Sequence, residues 1–272
     1  MIVCYRSCKG LALIKLNLSE SGAGPSLVLI HGWAMNSAAW GAFADKLAQS
    51  YRVICVELPG HGMSEYTDAW TMDEVLQALH RQLPERSNML AWSLGGMLAL
   101  AYAQRYPDRV DKLLMIASSA CFVQAEGWPC AQEDEVLNAF LRGMVDKPAS
   151  TIKRFLRLQS QGALEPKVIN RRLNQCLKDG GSGSAEGLIS GLRVLQRADL
   201  RAALIAIPCP LLMILGGNDQ LIPVTVGAAS LELNAGIQLS VIEQASHVPF
   251  LSHQAAVLES INQFIATEEC RG

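Results

Sequence analysis

Metal-binding and disulfide signatures are missing from this sequence. Its eight cysteines (4, 8, 55, 121, 130, 176, 209 and 270) include no C-x-x-C pair, and none stands with histidine at zinc-ligand spacing. Several fall in apolar runs, such as Cys55 in RVICVEL, where a reduced thiol packs as a small hydrophobe. No metal and no cofactor is therefore expected. Long hydrophobic runs are missing too, since no segment approaches the roughly 18 apolar residues of a membrane span. The N-terminal MIVCYRSCKGLALIKLNLSE has no continuous apolar region followed by a small-residue cleavage site, so a secretory signal is not expected. These absences predict a soluble, cytoplasmic protein with reduced thiols. Charge is also scarce, at 18% of residues with a formal net charge of −2, which argues against a general nucleic-acid binder. Half of the 272 residues are apolar, so a large buried core is expected and disorder is not.

What is present is an alternation of short apolar runs and longer helical patterns. SLVLIHG (26–32), RVICVELPG (52–60), NMLAW (88–92) and KLLMIAS (112–118) read as buried strands. Helical periodicity fills the gaps at about 36–49, 71–83 and 94–106. Such alternation predicts a parallel sheet covered on both faces. Residues 121–200 hold no convincing strand, only helical segments, with DGGSGSAEG (179–187) read as a flexible loop between two of them. Strand patterns return at 209–217 and 237–243, and a helix at 254–267 should close the chain. The reading is one α/β core, 1–120 and 201–272, with a helical lid inserted at 121–200.

Ser93 is the polar exception in NMLAWSLGGMLALAYAQRYP (88–107). Ala-Trp-Ser-Leu-Gly (91–95) fits a nucleophile elbow, a strained strand-to-helix turn that needs small residues on either side. Taken alone, Ser93 also fits a helix N-cap. Its partners decide the matter. A serine hydroxyl needs a base to take its proton and a third group to orient that base, and with an elbow the chain order is Ser, acid, His. Asp219 follows the strand pattern LLMILGG, and His247 follows LSVIE. An Asn-Asp after two glycines also suits a turn, and a loop histidine is more often a surface residue. Neither bland role accounts for both residues ending late strands in the required order. Oxyanion donors are expected from the backbone N–H groups of Leu94 and of Trp33, the latter in the loop after an early strand.

HGWAMNSAAW, ELPGHGMS, WSLGGMLA, ASSACF, EGWP, RFLRLQ, GGNDQLIP and ASHVPFLSH together resemble the pimeloyl-[acyl-carrier protein] methyl ester esterases of biotin synthesis, a group of α/β hydrolases. The similarity runs from about residue 26 to 265. It implies an α/β-hydrolase fold with a mostly parallel sheet, helices on both faces and a helical lid. It also implies a monomeric esterase using Ser93, His247 and Asp219, whose partner is an acyl carrier protein bearing the substrate. Phe155, Leu156, Arg157, Leu158 and Gln159 match the family's substrate-contacting lid segment, alongside Trp33, Ser93, Leu94 and His247. Two departures are Ala91, where the family usually has glycine, and an N-terminal extension before residue 20.

Between Lys147 and Lys178 stand eight Lys/Arg residues and one acid, Glu165. Helical periodicity turns Ile152, Phe155, Leu156 and Gln159 inward and Lys153, Arg154 and Arg157 outward; Lys167, Arg171 and Arg172 repeat the outward pattern. Charge runs are usually solvated faces, but those mix signs. A one-sign patch attracts acidic partners, and acyl carriers are acidic, so Arg154, Lys167 and Arg171 are expected to dock the carrier. The alternatives are a less selective short-chain carboxylesterase with the same triad and a catalytically silent binding protein on the same fold. Halide or epoxide hydrolysis on this fold needs a carboxylate nucleophile, and position 93 is serine.

Overall fold

A computed structural model describes residues 13–66 and 68–266. The elements begin with β1 (Asn17–Ser21), β2 (Ser26–Ile30), α1 (Gly41–Leu47), β3 (Arg52–Glu57), α2 (Met72–Gln82) and β4 (Ser87–Trp92). Next come α3 (Leu94–Arg105), β5 (Val110–Ile116), and then four helices before the next strand: α4 (Asp134–Asp146), α5 (Pro148–Ser160), α6 (Pro166–Gly180) and α7 (Ala185–Arg197). The chain continues through α8 (Arg201–Ile205), β6 (Leu211–Gly216), α9 (Thr225–Leu233), β7 (Gln238–Ile242), α10 (Pro249–Ser252) and α11 (Gln254–Ala266).

The sheet has strand order β1-β3-β2-β4-β5-β6-β7. Strands β2 to β7 run parallel, as the βαβ alternation predicts, and only β1 pairs antiparallel, with β3. Every residue of β4 and β6 is buried, so helices cover both faces of the central sheet. Strand order reverses at β2 and β4, because β3 lies on one side of β2 and β4 on the other. A crevice at the carboxyl ends of the strands belongs at such a reversal. The loops after β2 and β4 carry Trp33 and Ser93.

β1 was not foreseen. Its sequence, NLSES, is polar and mostly exposed, and it holds its place through backbone pairing with β3 rather than through an apolar face. The glycine-rich stretch 179–187 differs from the expected loose loop. Residues 179 and 180 complete α6, 185–187 begin α7, and Ser184 caps α7 by accepting from the Gly187 N–H at 3.1 Å. The Ser184 N–H donates to the Gly60 carbonyl at 2.9 Å, and a Cβ on Gly187 would collide with the Gly60 backbone. The glycine permits close approach between insertion and core; it does not make the link loose. Cys55, Cys121, Cys130 and Cys176 are free thiols, while Cys4, Cys8 and Cys270 lie outside the described residues. No described helix is long and apolar enough to cross a membrane.

Candidate active site

Ser93 sits between β4 and α3 with φ 55° and ψ −119°, in the left-handed region that costs a non-glycine residue roughly 1–3 kcal/mol. Its neighbours hold it there. The Ser93 N–H donates to the Ile116 carbonyl at 3.0 Å, and its own carbonyl accepts from Ser118 Oγ at 2.7 Å and from the Gly96 N–H at 2.9 Å. A Cβ on Gly95 would strike the Ile30 and His31 carbonyl oxygens, so the start of α3 can approach β2 only with glycine there. Ala91 is fully buried in β4 between Ile30 and Met115, so its extra methyl is accommodated. The Ser93 side chain makes no helix-capping bond.

That hydroxyl lies 3.0 Å from His247 Nε2, and His247 Nδ1 lies 2.8 Å from Asp219 Oδ2. All three residues are buried. Asp219 also holds its turn, as its Oδ1 accepts from the N–H groups of Leu221 at 2.7 Å and Ile222 at 3.1 Å. One carboxylate oxygen thus fixes the loop and the other fixes the imidazole. The loops after β6 and β7 are stitched by the Asn218 N–H donating to the Ala245 carbonyl at 2.9 Å. Trp92 Nε1–H donates to the His247 carbonyl at 2.9 Å, tying the histidine loop to the end of β4. A tryptophan N–H at the end of a fully buried strand needs such a partner, and that requirement is the sequence signal for this contact.

Trp33 and Leu94 are fully buried beside the serine, and among the described residues the backbone N–H of neither donates to a protein acceptor. The Trp33 indole donates to the Leu188 carbonyl of α7 at 2.7 Å, so its ring is fixed as a wall against the helical insertion. Phe155 meets that ring edge-on with centroids 4.6 Å apart, and Phe140 joins at 6.1 Å. Phe140 was not singled out in the sequence; its position on the buried face of α4 was the available signal. Leu156 is buried and Leu158 half-buried. Gln159 is fully buried, and among the described residues neither of its amide atoms has a partner.

The outward residues fall where periodicity put them. Lys153, Arg154, Arg157, Lys167 and Arg171 are exposed, and among the described residues none of them forms an ion pair. Arg157 stands on the exposed face of α5, opposite Phe155, Leu156 and Gln159. The Arg154 guanidinium lies 5.2 Å from the Phe140 ring centroid. Arg172 is exposed as well, and its Nη1–H donates to the Leu251 carbonyl at 3.1 Å, fastening α6 to the core. Asn36 does the same, donating to the carbonyls of Cys176 at 3.1 Å and Gly181 at 2.9 Å.

Two buried histidines flank the Trp33 loop. The His31 ring takes the Leu58 N–H on Nε2 at 3.1 Å and pairs Nδ1 with the Gly32 carbonyl at 2.8 Å. Burial holds its pKa down to about 4. Burial, and then the neighbouring His31, hold His61 down to about 3. Both are neutral when folded and protonate near 6.5 when unfolded, so their stabilisation is complete above that value and is lost as pH falls toward 4 and then 3. Each should remove roughly 2 kcal/mol of stability between pH 7 and 5, where most carboxylates are still ionised. Urea unfolding at the two pH values checks this; equal stability at both would contradict it.

The sequence matches the alpha/beta hydrolase fold family over residues 25–254. It is 35% identical over 252 residues to the pimeloyl-[acyl-carrier protein] methyl ester esterase of Methylococcus capsulatus, covering 93% of this chain and 99% of that one. The chain belongs to the pimeloyl-[acyl-carrier protein] methyl ester esterase family of α/β hydrolases. The family's Pectobacterium carotovorum member is 36% identical over 246 residues, covering 90% of this chain and 96% of its own. This esterase also shares its fold with an esterase from Exiguobacterium antarcticum (TM-score 0.85, 24% identity, 93% and 96% coverage). A bromoperoxidase from Bacillus anthracis is similar in the same way (TM-score 0.86, 21% identity, 94% and 97% coverage). At those identities the likeness concerns the fold alone. The family, in contrast, makes the chain a carboxylic ester hydrolase, and it extends over the helical insertion as well as the core.

Proposed function

We propose that this esterase removes the methyl group from pimeloyl-[acyl-carrier protein] methyl ester, yielding the free carboxylate and methanol in biotin synthesis. The hydrogen-bonded run from Asp219 through His247 to Ser93 carries the reading. Ser93 Oγ attacks the ester carbonyl carbon while His247 Nε2 takes its proton, and Asp219 holds the imidazole in the receptive tautomer. The carbonyl oxygen becomes an oxyanion facing the Trp33 and Leu94 N–H groups, a donor pair in which each member is worth about 2.7–4 kcal/mol. His247 returns the proton to the departing methoxide as methanol leaves. A water, deprotonated by His247, then attacks the acyl carbon and releases Ser93.

Phe155, Leu156 and Leu158 line the acyl path with Trp33, and the unpartnered Gln159 amide is available to a polar group of the substrate. The acidic carrier docks outside, on Arg154, Lys167 and Arg171, so the distal methyl ester reaches Ser93 while the thioester stays behind. The protein works as a cytoplasmic monomer, with 121–200 as a lid on the core. Two tests bear on this. The gene should restore growth without biotin to a cell lacking its own esterase, and failure to do so at normal expression would count against the substrate. Reversing Arg154 and Arg171 to Glu should slow the carrier-bound ester several-fold at low salt, mainly through association rate, and leave a small soluble ester nearly unchanged. A single exposed pair is worth only ~0.2–1 kcal/mol, which is why two are reversed. No change with either ester would leave the basic face an ordinary solvated surface.

A further inference from the structure

A concavity lies within the insertion, walled by α4, α5, α6, α7 and the link before α7. Its volume is about 490 Å³, and Ile152, Leu177 and Leu188 give it an apolar lining. Lys153 and Lys178 are also among its lining residues, on α5 and α6, and both are exposed. Neither lysine has an acidic partner among the described residues, and no Asp or Glu lines the cavity. Two ammonium groups on an apolar wall match an anionic head joined to a longer, less polar chain. Asn174 also lines the cavity; its amide N–H groups are taken by Asn170, which leaves its carbonyl oxygen open to an N–H donor.

The cavity adjoins the site already described. Leu188 lines it, and the Leu188 carbonyl takes the Trp33 indole N–H. Ile152 lines it one turn before Phe155, whose ring stands against Trp33. A chain lying in it would therefore run toward the Trp33 wall of the serine pocket.

We infer that this cavity seats the carrier's phosphopantetheine arm, with Lys153 and Lys178 flanking its phosphodiester and Asn174 accepting from an arm amide. The inference rests on the carrier-bound substrate proposed above. It assigns the arm's phosphate to a lysine pair distinct from the arginines that dock the carrier body, so substrate selection includes the arm itself.

The test uses two soluble substrates without a carrier protein, methyl pimeloyl-phosphopantetheine and its dephosphorylated form methyl pimeloyl-pantetheine. The full-length protein should favour the phosphorylated ester by about fivefold in kcat/KM, carried by KM, as expected of a charge pair at a partly exposed site. In the K153Q/K178Q variant that preference should fall to about one. Turnover of a small soluble ester should stay within twofold, reporting an intact fold. A wild-type enzyme indifferent to the phosphate, or a preference that survives in the variant, overturns the assignment. If neither pantetheine ester is cleaved while the small ester is, the carrier-bound substrate itself is wrong, and the assignment falls with it.

Discussion

Replacing Ser93 with alanine should reduce ester hydrolysis by roughly 10⁴-fold or more, to the residual rate that binding and oxyanion donors alone supply. Three features make the effect large. The hydroxyl is the only atom the substitution removes, it is the atom 3.0 Å from His247 Nε2, and no capping bond of Ser93 supports α3 in its place. The positive φ at position 93 is equally strained for alanine, and the backbone bonds to Ile116 and Gly96 are kept, so the fold should survive. Binding of the unhydrolysed ester should also survive, measured by calorimetry on the variant. Activity within tenfold of wild type would remove Ser93 from the nucleophile role.

The second large effect is expected from Asp219→Asn. An asparagine of the same shape keeps a carbonyl oxygen to accept the Leu221 and Ile222 N–H groups, so the turn after β6 should persist. The group then facing His247 Nδ1 becomes an amide. If it presents its NH₂, His247 is driven into the tautomer that carries its proton on Nε2, toward Ser93, and cannot receive the serine proton. The charge that stabilises the imidazolium is lost in either orientation. A drop of about 10⁴-fold in kcat is the expectation for a base in the wrong tautomer, with KM little changed. Single-turnover kinetics would place the loss in acylation. A variant retaining full activity would mean that another acid supports the base.

How much of this could be read in the chain depended on what each residue was held by. β4 and β6 are buried on both faces, so MLAW (89–92) and LLMIL (211–215) appear as uninterrupted apolar runs and their placement followed directly. Ser93, Asp219 and His247 were legible because strand ends and chain order together restrict where a triad can stand. β1 was not legible, since NLSES has neither an apolar face nor a turn signal and is fixed by a distant strand. The same limit applies to 179–187, where glycine reads as looseness although Gly187 serves a close approach to Gly60. Arg172 looked like its neighbours along the helix; only the fold brings the Leu251 carbonyl within its reach. Phe140 belongs to the aromatic wall because α4 packs beside α5, a contact that no local pattern encodes.

The measurement closest to the central claim is mass spectrometry of a carrier loaded with the methyl pimeloyl thioester after incubation with the purified protein. The account predicts loss of the methyl group alone, with the acyl chain still attached to the carrier through an intact thioester, and no reaction with the Ser93→Ala variant. Release of the whole acyl chain from the carrier, or an unchanged carrier under conditions where a small ester is consumed, would contradict it.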